Sequence, residues 1–331
     1  MVWVSLGLRA SVNVEALNMV ESVGNVTRHR KAAIVYKTKT GYVIRWVPVV
    51  SGETIAHAYQ YWVAKLARDR GLPVCSYCSI GEFVKHAQPE IFGNLPWEVK
   101  LKQLVSQKNY DPHVFEAEIV RNCVVEDIGG FLFPGPRPVK RTSRFITGYM
   151  VPAIDAIDKV AVEPQFHVRH APKAQQELGQ AQMIYYVEVG SAVYTLSFAL
   201  DVNGIGKTSM VKIKEVVPKD EKLRRIECAL DALALMLDSK LFGAKLTRFN
   251  PVMDYESIVI AVSRKYPFNV SPPANSNYAE ETVTRANTFS KALGDEVRVL
   301  GYRVDVKGIE KYNTVIELME EVKEYVKKYL G

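Results

Sequence analysis

Once two insertions are set aside, the hydrophobic patterns of the 331-residue chain run strand, helix, strand, strand, helix, strand. That order predicts an α+β fold on the ferredoxin-like plan. Three observations carry the expectation. Residues 5–14, SLGLRASVNV, alternate, with Leu6, Leu8, Ala10, Val12 and Val14 on one side and Ser5, Arg9, Ser11 and Asn13 on the other, the mark of a half-buried strand. A helical period begins after Ser51, with Ile55, Tyr59, Trp62 and Leu66 as its apolar stripe. A later series of strand (193–202), long helix (219–241) and strand (256–263) completes the pattern.

Taken in order, residues 32–49, AAIVYKTKTGYVIRWVPV, predict a hairpin turning near Thr40-Gly41. Ser51 supplies an N-cap and Glu53 a first-turn acid for the helix, which stops at Gly71-Leu-Pro73. Residues 70–136 hold several prolines, scattered aromatics and short amphipathic stretches, expected to form a mostly helical insertion. Residues 150–182, with few strand signals and many Ala, Gln, Pro and charged residues, are expected to form a mobile arm. Strands at 183–189 and 193–202, a helix near 279–292, a strand at 296–304 and an amphipathic helix at 309–329 account for the rest. The expected division is a first part at 1–69, the helical insertion at 70–136, a basic continuation at 137–149, the arm at 150–182 and a completing part at 183–331.

Charge narrows the class of partner. The formal net charge is +7, and it is uneven. No acid occurs from Ser22 to Gly52, while Arg28, Arg30, Lys31, Lys37, Lys39 and Arg45 are basic. A second acid-free cluster, PRPVKRTSR, holds Arg137, Lys140, Arg141 and Arg144. Such stripes suit a polyanion, most often a nucleic acid. Arg9 interrupts any apolar N-terminal leader, and the most apolar helical stretch, Ile226 to Phe242, carries Glu227, Asp231 and Asp238, too polar to span a membrane. Four cysteines in a chain of this length point to a reducing, cytoplasmic setting. Cys75-Ser-Tyr-Cys78 has zinc-knuckle spacing but is not joined by a second such pair, and Cys123 and Cys228 stand far off in sequence. The expectation is ordinary thiols, with no metal and no cofactor.

The stretch DVNGIGKTS, residues 201–209, ends like a phosphate-binding P-loop, but Asp201 stands where the first glycine belongs. The next segment, Met210 to Val217, alternates apolar and charged residues as a strand would, whereas a P-loop opens a helix. An ATPase is therefore not expected.

Several polar clusters fit a sugar–phosphate backbone. Asn25, Arg28, His29, Arg30 and Lys31 lie between the first strand and the hairpin, and guanidinium forks match phosphate oxygens. Ser51, Gly52 and His57 lie on the first turns of a helix, His57 opposite the apolar stripe. Lys140, Arg141, Thr142, Ser143 and Arg144 interleave charge and hydroxyl. In PQFHVRH, Gln165, His167 and Arg169 alternate along an extended stretch, with Phe166 facing the other way to anchor it by packing. Tyr194 and Phe198 sit in a strand without the aromatic signature of RNA-recognition sheets, so stacking bases on the sheet is not expected to be the main mode of binding. No carboxylate or lysine is placed by sequence to tune these histidines for catalysis.

The stretches SLGLRASVNVEALNMVESVGNVTRHRKAAIVYKT, VPVVSGETIAHAYQ, IGGFLFPGPRPVKRTSRFITGYMVPA and PQFHVRH, in that order, resemble the archaeal backbone subunit of type I CRISPR interference complexes (Cascade). This is the DevR-like family of the repeat-associated (RAMP) superfamily. The resemblance implies a palm built on a modified ferredoxin-like, RNA-recognition-motif fold, with helical fingers and a thumb-like arm inserted. It implies a non-catalytic subunit that binds CRISPR RNA, lines up head to tail with copies of itself and joins other subunits to present the spacer to a target DNA strand. The RNA-contacting motifs would be Asn25 to Lys31, Ser51-Gly52 with His57, Lys140 to Arg144, and His167 with Arg169. The alternative is a metal-independent endoribonuclease of the same superfamily acting on repeat RNA, with His167 or His57 as its histidine.

Overall fold

The computed structural model describes residues 2–107, 109–170 and 182–331. Fourteen strands and eight α-helices are described, most strands joining one mixed sheet. The chain opens with β1 (Trp3–Glu15), β2 (Met19–Val23), β3 (Val26–His29) and a hairpin of β4 (Lys31–Thr38) and β5 (Gly41–Pro48). Helix α1 (Gly52–Asp69) leads into α2 (Ser76–Ser79), α3 (Pro96–Ser106), α4 (Pro112–Asn122) and α5 (Val124–Gly129). Short strands β6 (Phe131–Phe133), β7 (Val139–Arg141), β8 (Phe145–Thr147) and β9 (Val151–Pro152) precede β10 (Ala161–His170) and the long β11 (Gln182–Asp201). Then come α6 (Lys219–Ser239), β12 (Val252–Ser263), α7 (Tyr278–Leu293), β13 (Val297–Tyr302), β14 (Glu310–Tyr312) and α8 (Val315–Leu330).

The main sheet runs β14-β13-β12-β1-β11-β3-β2, with β8, β9 and β10 also paired to β11. Strand β1 lies antiparallel between β11 and β12, with Leu6 opposite both Phe198 and Ile260. The apolar face of the first strand packs as its alternation predicts: Leu6, Leu8, Ala10 and Val12 join the main core with α1, α6 and α8. Two details depart from that pattern. Val14 adopts a positive φ of 57° at a bulge and turns outward, and the first half of the polar face, Ser5 and Arg9, is also buried. Helix α7 covers that second face: Gly7 abuts Val270 and Tyr278, and the Arg9 guanidinium reaches Asp155 at 2.9 Å and Glu256 at 3.2 Å.

Helix α1 starts where its cap predicts, Ser51 Oγ accepting from the Thr54 amide at 3.4 Å. Its largest fully buried residue is Tyr59, whose ring meets Phe145 and Phe198 at 4.8 and 5.1 Å and whose hydroxyl donates to the Ala229 carbonyl at 3.1 Å. The stripe is rotated slightly from the expected one, for Ala58, Val63 and Ala67 are buried while Trp62 and Leu66 lie at the margin.

Three expectations are corrected. Residues 150–182 do not lack strand structure. Met150, Ala153 and Ile157 are core residues, and Ala161–His170 forms a ten-residue strand against the first half of β11. The tip of the expected arm, 171–181, lies outside the described residues. The two strands expected at 183–189 and 193–202 are one strand of 20 residues, because Gly190 and Ser191 continue the pairing with β1 and β10 instead of turning. Residues 210–217 form no strand. They make one isolated bridge, Lys207 with Glu215, and leave Met210, Val211 and Ile213 exposed.

A buried charge cluster ties the insertion to the sheet. Asp127 on α5 takes Arg141 on one oxygen and Arg225 of α6 on the other at 2.8 Å, and all three side chains are solvent-free. It also accepts the Gly206 amide, at 2.9 Å to the nearer oxygen. Glu116 of α4 takes Arg141 at 3.1 Å, the Ser209 amide at 2.8 Å and the Met210 amide at 3.1 Å. Removing one partner of a buried ion pair leaves an uncompensated charge. Asp127→Asn is therefore expected to destabilise the fold by about 3–5 kcal/mol in urea unfolding, whereas Asp305→Asn, at a solvent-exposed pair, should leave the unfolding midpoint essentially unmoved.

Candidate nucleic-acid interface

Two open depressions meet at Arg30. The first, about 480 Å³, lies at the start of α1 and is lined by Asn18, Arg30, Ser51, Thr54 and His57 together with Gly243 and Ala244. The second, about 620 Å³, is bounded by Arg28, His29, Arg30, Lys31 and Glu188. The fold thus brings Arg28–Lys31 and Ser51, Thr54 and His57 to one groove, while Asn25 and Gly52 line neither depression. Backbone hydrogen bonds hold the junction: the Arg30 amide donates to Asn18 O at 2.9 Å, and Asn18 Oδ1 accepts from the Ser51 amide at 2.8 Å. Arg28 is exposed with only a long 3.9 Å pairing to Glu21, and Lys31 reaches Glu188 at 3.2 Å. Arg30 keeps a buried Nε with no partner among the described residues. His57 is exposed, its ring edge-on to Phe83 at 5.1 Å. Asn25 is exposed at the β2–β3 turn. Ser51 is buried and committed to capping, and Gly52 packs so close to the Thr147 and Gly148 carbonyls that a side chain would crowd them. The groove also contains an acid. Glu53 is held below the usual carboxylate range by its own amide and by Ser51, with Arg30 adding to the effect.

Besides Ser51, two predicted contact residues are not at the surface. His29 is buried, with Nε2 2.6 Å from Glu15 Oε1 and Nδ1 2.8 Å from the Arg30 carbonyl. Arg141, 2% exposed, is spent on Glu116 and Asp127 and on the Lys207 carbonyl at 2.6 Å. Both are buried and committed to structural partners, and the expectation that they meet RNA is corrected for that reason. Around Arg141, Lys140 and Thr142 are exposed, while Ser143 donates to the Phe145 carbonyl at 2.7 Å. Arg144 is mostly buried beside Asp201 at 3.4 Å, and its Nε and Nη2 have no partner among the described residues. Burial, and then the neighbouring Arg141 charge, hold its pKa below the usual guanidinium range despite Asp201.

The PQFHVRH stretch alternates as expected. Gln165 and His167 are half-buried on one face of β10, and Phe166 and Val168 point to the other. Phe166 does not anchor by packing, however: it is 55% exposed and meets only the Tyr186 ring at 5.5 Å. The His167 ring stacks on Tyr185 at 5.2 Å and meets Phe249 edge-on at 5.5 Å, its buried Nε2 unpartnered among the described residues. The Arg169 side chain lies outside the described residues. His167 borders a third depression, about 550 Å³, with Lys245, Thr247 and Arg248. Sequence reasoning missed these residues, although a signal was present: no acid separates Asp238 from Asp254, and Lys240, Lys245 and Arg248 lie between. Residues 243–249 run from the first depression to the third, so the loop links His57's groove to His167.

The glycine turn is closed to phosphate. The Gly206 amide is given to Asp127, and the Ser209 and Met210 amides to Glu116, so a nucleotide would face two carboxylates. Tyr194 and Phe198 are buried on the helix-covered face, Tyr194 donating to Glu15 at 2.6 Å, and offer no stacking surface. Neither His57 nor His167 has a carboxylate within hydrogen-bonding reach among the described residues, so no proton-transfer pair is assembled there. What the surface provides is cations, hydroxyls and imidazoles along a bent groove. No described helix is long and apolar enough to cross a membrane.

These features define a mixed α+β protein with a basic groove formed where helix α1 meets the sheet. Comparison with known proteins agrees and is more specific. Residues 6–283 match the family described as CRISPR-associated negative auto-regulator DevR/Csa2. Two proteins of Saccharolobus solfataricus are similar over nearly the whole chain. One, CRISPR-associated protein Cas7/Csa2 1, is 39% identical, covering 91% of this chain and 92% of that protein. The other, CRISPR-associated aCascade subunit Cas7/Csa2 2, is 38% identical over 96% and 98%. A solved chain of a CRISPR RNA-guided surveillance complex in a pre-nicking state shares the fold at a TM-score of 0.55 and 11% identity, covering 98% of this chain and 99% of that one. The chain belongs to the archaeal Cas7-type DevR/Csa2 family.

The His29–Glu15 pair has a pH signature. Burial alone would lower the His29 pKa, but the hydrogen bond and charge of Glu15 raise it above the ordinary value. Burial alone would raise that of Glu15, but His29, Tyr194 and the Leu17 amide bring it below the ordinary value. The histidine contribution is full below about pH 6.5 and is lost as pH rises through the raised folded value; the glutamate contribution is full above about pH 4.3 and is lost as pH falls through the depressed one. The Tm advantage of wild type over His29→Gln should therefore peak between about pH 4.3 and 6.5 and shrink above that window. An advantage no larger inside that window than in acid or in alkali would show that the pair is not ionised.

Proposed function

We propose that this chain is a non-catalytic subunit of a CRISPR interference complex that holds guide RNA by its backbone and leaves the bases free to pair with a target DNA strand. The observation that carries the proposal is the groove through Arg28, Arg30, Lys31 and His57, continued by the Lys245–Arg248 loop to His167, with no carboxylate paired to His57 or His167 among the described residues. The sheet order β12-β1-β11-β8, with α1 and α6 on one face, supports the ferredoxin-like palm. Helix α7 covers part of the opposite face, which directs RNA to the edges and loops and away from the sheet surface. Cations that track phosphates bind without regard to sequence. In such an arrangement guide pairing supplies specificity and the protein supplies shape.

Copies of the chain would repeat along the RNA head to tail, beside other subunits of the complex. Two exposed apolar faces support such contacts. One is the outer face of the β4–β5 hairpin, with Val35, Ile44 and Trp46; the other is the outer face of the β10–β11 hairpin, with Phe166, Val168 and Ile184. A face that does not complement itself propagates into an open filament.

The RNA proposal is tested by titrating the full chain with labelled repeat-spacer RNA at several salt concentrations. Each neutralised phosphate adds about 0.7 to the negative log–log slope for single strands. Arg30→Ala with Lys31→Ala should flatten that slope by about 1.4 and weaken every spacer sequence alike. A loss confined to one sequence would mean base reading, and RNA cut by wild type but not by His167→Ala or His57→Ala would replace this proposal with the endoribonuclease alternative.

Assembly has its own measurement. Phe166→Ser with Val168→Ser should leave affinity for a short RNA within about twofold while abolishing multi-copy complexes on a long one in analytical ultracentrifugation, because the changed side chains are exposed and touch little within their own chain.

A further inference from the structure

Cys75, Cys78, Cys123 and Glu126 converge where the helical insertion leaves and rejoins the rest of the fold. Cys123, remote in sequence from Cys75 and Cys78, stands beside them, whereas Cys228 lies apart, its thiol toward the Val63 carbonyl at 3.6 Å. The three sulfurs and a Glu126 oxygen all lie within 4.8 Å of one another, and all four side chains are buried. All four cysteines of the chain are free thiols. The two halves of the cluster are built alike. Cys75 is the N-cap of α2 and Cys78 its third residue; Cys123 is the N-cap of α5 and Glu126 its third residue. Each half is thus a ligand, two intervening residues, and a second ligand on the first turn of a short helix. The Val124 amide donates to the Pro73 carbonyl at 2.9 Å and holds the halves together.

We propose that this cluster is a structural zinc site of the Cys₃Glu type. Four features of the geometry support that identity. Thiolate sulfurs with a carboxylate oxygen in a closed, dry position suit a four-coordinate borderline-soft cation, and the separated pair of two-residue spacings is a usual framework for one. Zinc–sulfur bonds of about 2.3 Å in a tetrahedron place sulfurs roughly 3.8 Å apart, so the observed cluster needs only a small contraction. Glu126 Oε2 is buried with no hydrogen-bond partner among the described residues, an orphan that a cation would satisfy. The other oxygen, Oε1, accepts from the Cys75 thiol at 3.5 Å and is held by His86 Nδ1 at 2.5 Å, the outer-shell bond that fixes the orientation of a ligating carboxylate. His86 is itself wedged between Phe92 and Trp97, each 5.1 Å away, and acts as a positioning residue.

The site lies outside the RNA groove and explains how a long insertion keeps one orientation. It clasps the start of the insertion, just past α1, to its end at α5, where Asp127 carries the buried charge cluster. A cation at that point closes the insertion into a loop and restricts the unfolded chain, as a cross-link does.

The test uses the full chain purified under reducing conditions from zinc-supplemented medium. Elemental analysis by plasma mass spectrometry should find one zinc per chain in wild type and in Cys228→Ser, and almost none in Cys123→Ser. His86→Ala should release zinc to a chromogenic chelator at a concentration about 10–100-fold lower than wild type needs. Stripping and refilling wild type with cobalt should give the thiolate charge-transfer and tetrahedral ligand-field bands, which keeps the proposal testable if Cys123→Ser does not fold. Wild type that carries no zinc and shows no cobalt–thiolate bands on titration overturns the proposal. So does a Cys75–Cys78 disulfide recovered from protein kept reduced throughout.

Discussion

Strand β11 is the element on which the rest of the molecule depends. Its 20 residues span roughly 65 Å at ordinary strand rise and are paired on both edges for most of that length. The first half holds β10 and β3, and the second half holds β1 on one side and β8 and β9 on the other. One continuous register therefore sets where His167, Arg28 and Arg144 stand relative to one another. A slip of one residue against β1 would turn Tyr194, Leu196 and Phe198 away from the core, so burial of that face locks the register. Helix α1 obeys the same constraint, since Tyr59 seats against Phe198 and thereby places Ser51 and His57 at the edge of the sheet.

The buried charges qualify any reading of this protein as simply basic. Arg9, His29, Arg141 and Arg225 are all basic side chains withdrawn from solvent and answered by Asp155, Glu256, Glu15, Glu116, Asp127 and Glu221. Such pairs contribute less net stability than apolar packing of the same volume, but breaking one is expensive, so they make the local arrangement specific. Here they join α4, α5, α6 and the turn at Gly206 around one carboxylate, Asp127. The exposed basic surface is therefore smaller than a count of Lys and Arg suggests, and part of it lines the depressions that meet at Arg30.

Much of this was legible in the sequence because the signals were local. The turn of the first hairpin, the cap at Ser51 and the helices near 219–241 and 279–292 come from periodicity and capping, which neighbouring residues decide. The arm was misread because β10 buries neither face deeply, its apolar Phe166 and Val168 being exposed, and it reaches strand geometry through its pairing with β11, a partner that arrives only after the intervening segment. The strand expected after the Gly206 turn failed for the opposite reason: its alternation is genuine, but no neighbouring strand takes up its hydrogen bonds beyond one bridge.

By itself the sequence determined the class of fold, the order of its elements, the acid-free stripes and the family resemblance, since each is carried by composition or short-range spacing. Only the tertiary structure decided which cations face outward. His29 and Arg141 sit in motifs as basic as those of Arg28 and Arg144, and nothing local distinguishes them. What distinguishes them is Glu15 from β1, and Glu116 and Asp127 from the insertion, brought to them by long-range packing. The same packing sets Cys123 beside Cys75 and Cys78 and carries the Lys245–Arg248 loop to His167. A side chain's chemistry is written in the chain, but its partners, and hence whether it is surface or core, are set by elements that meet only when the sheet closes around β11.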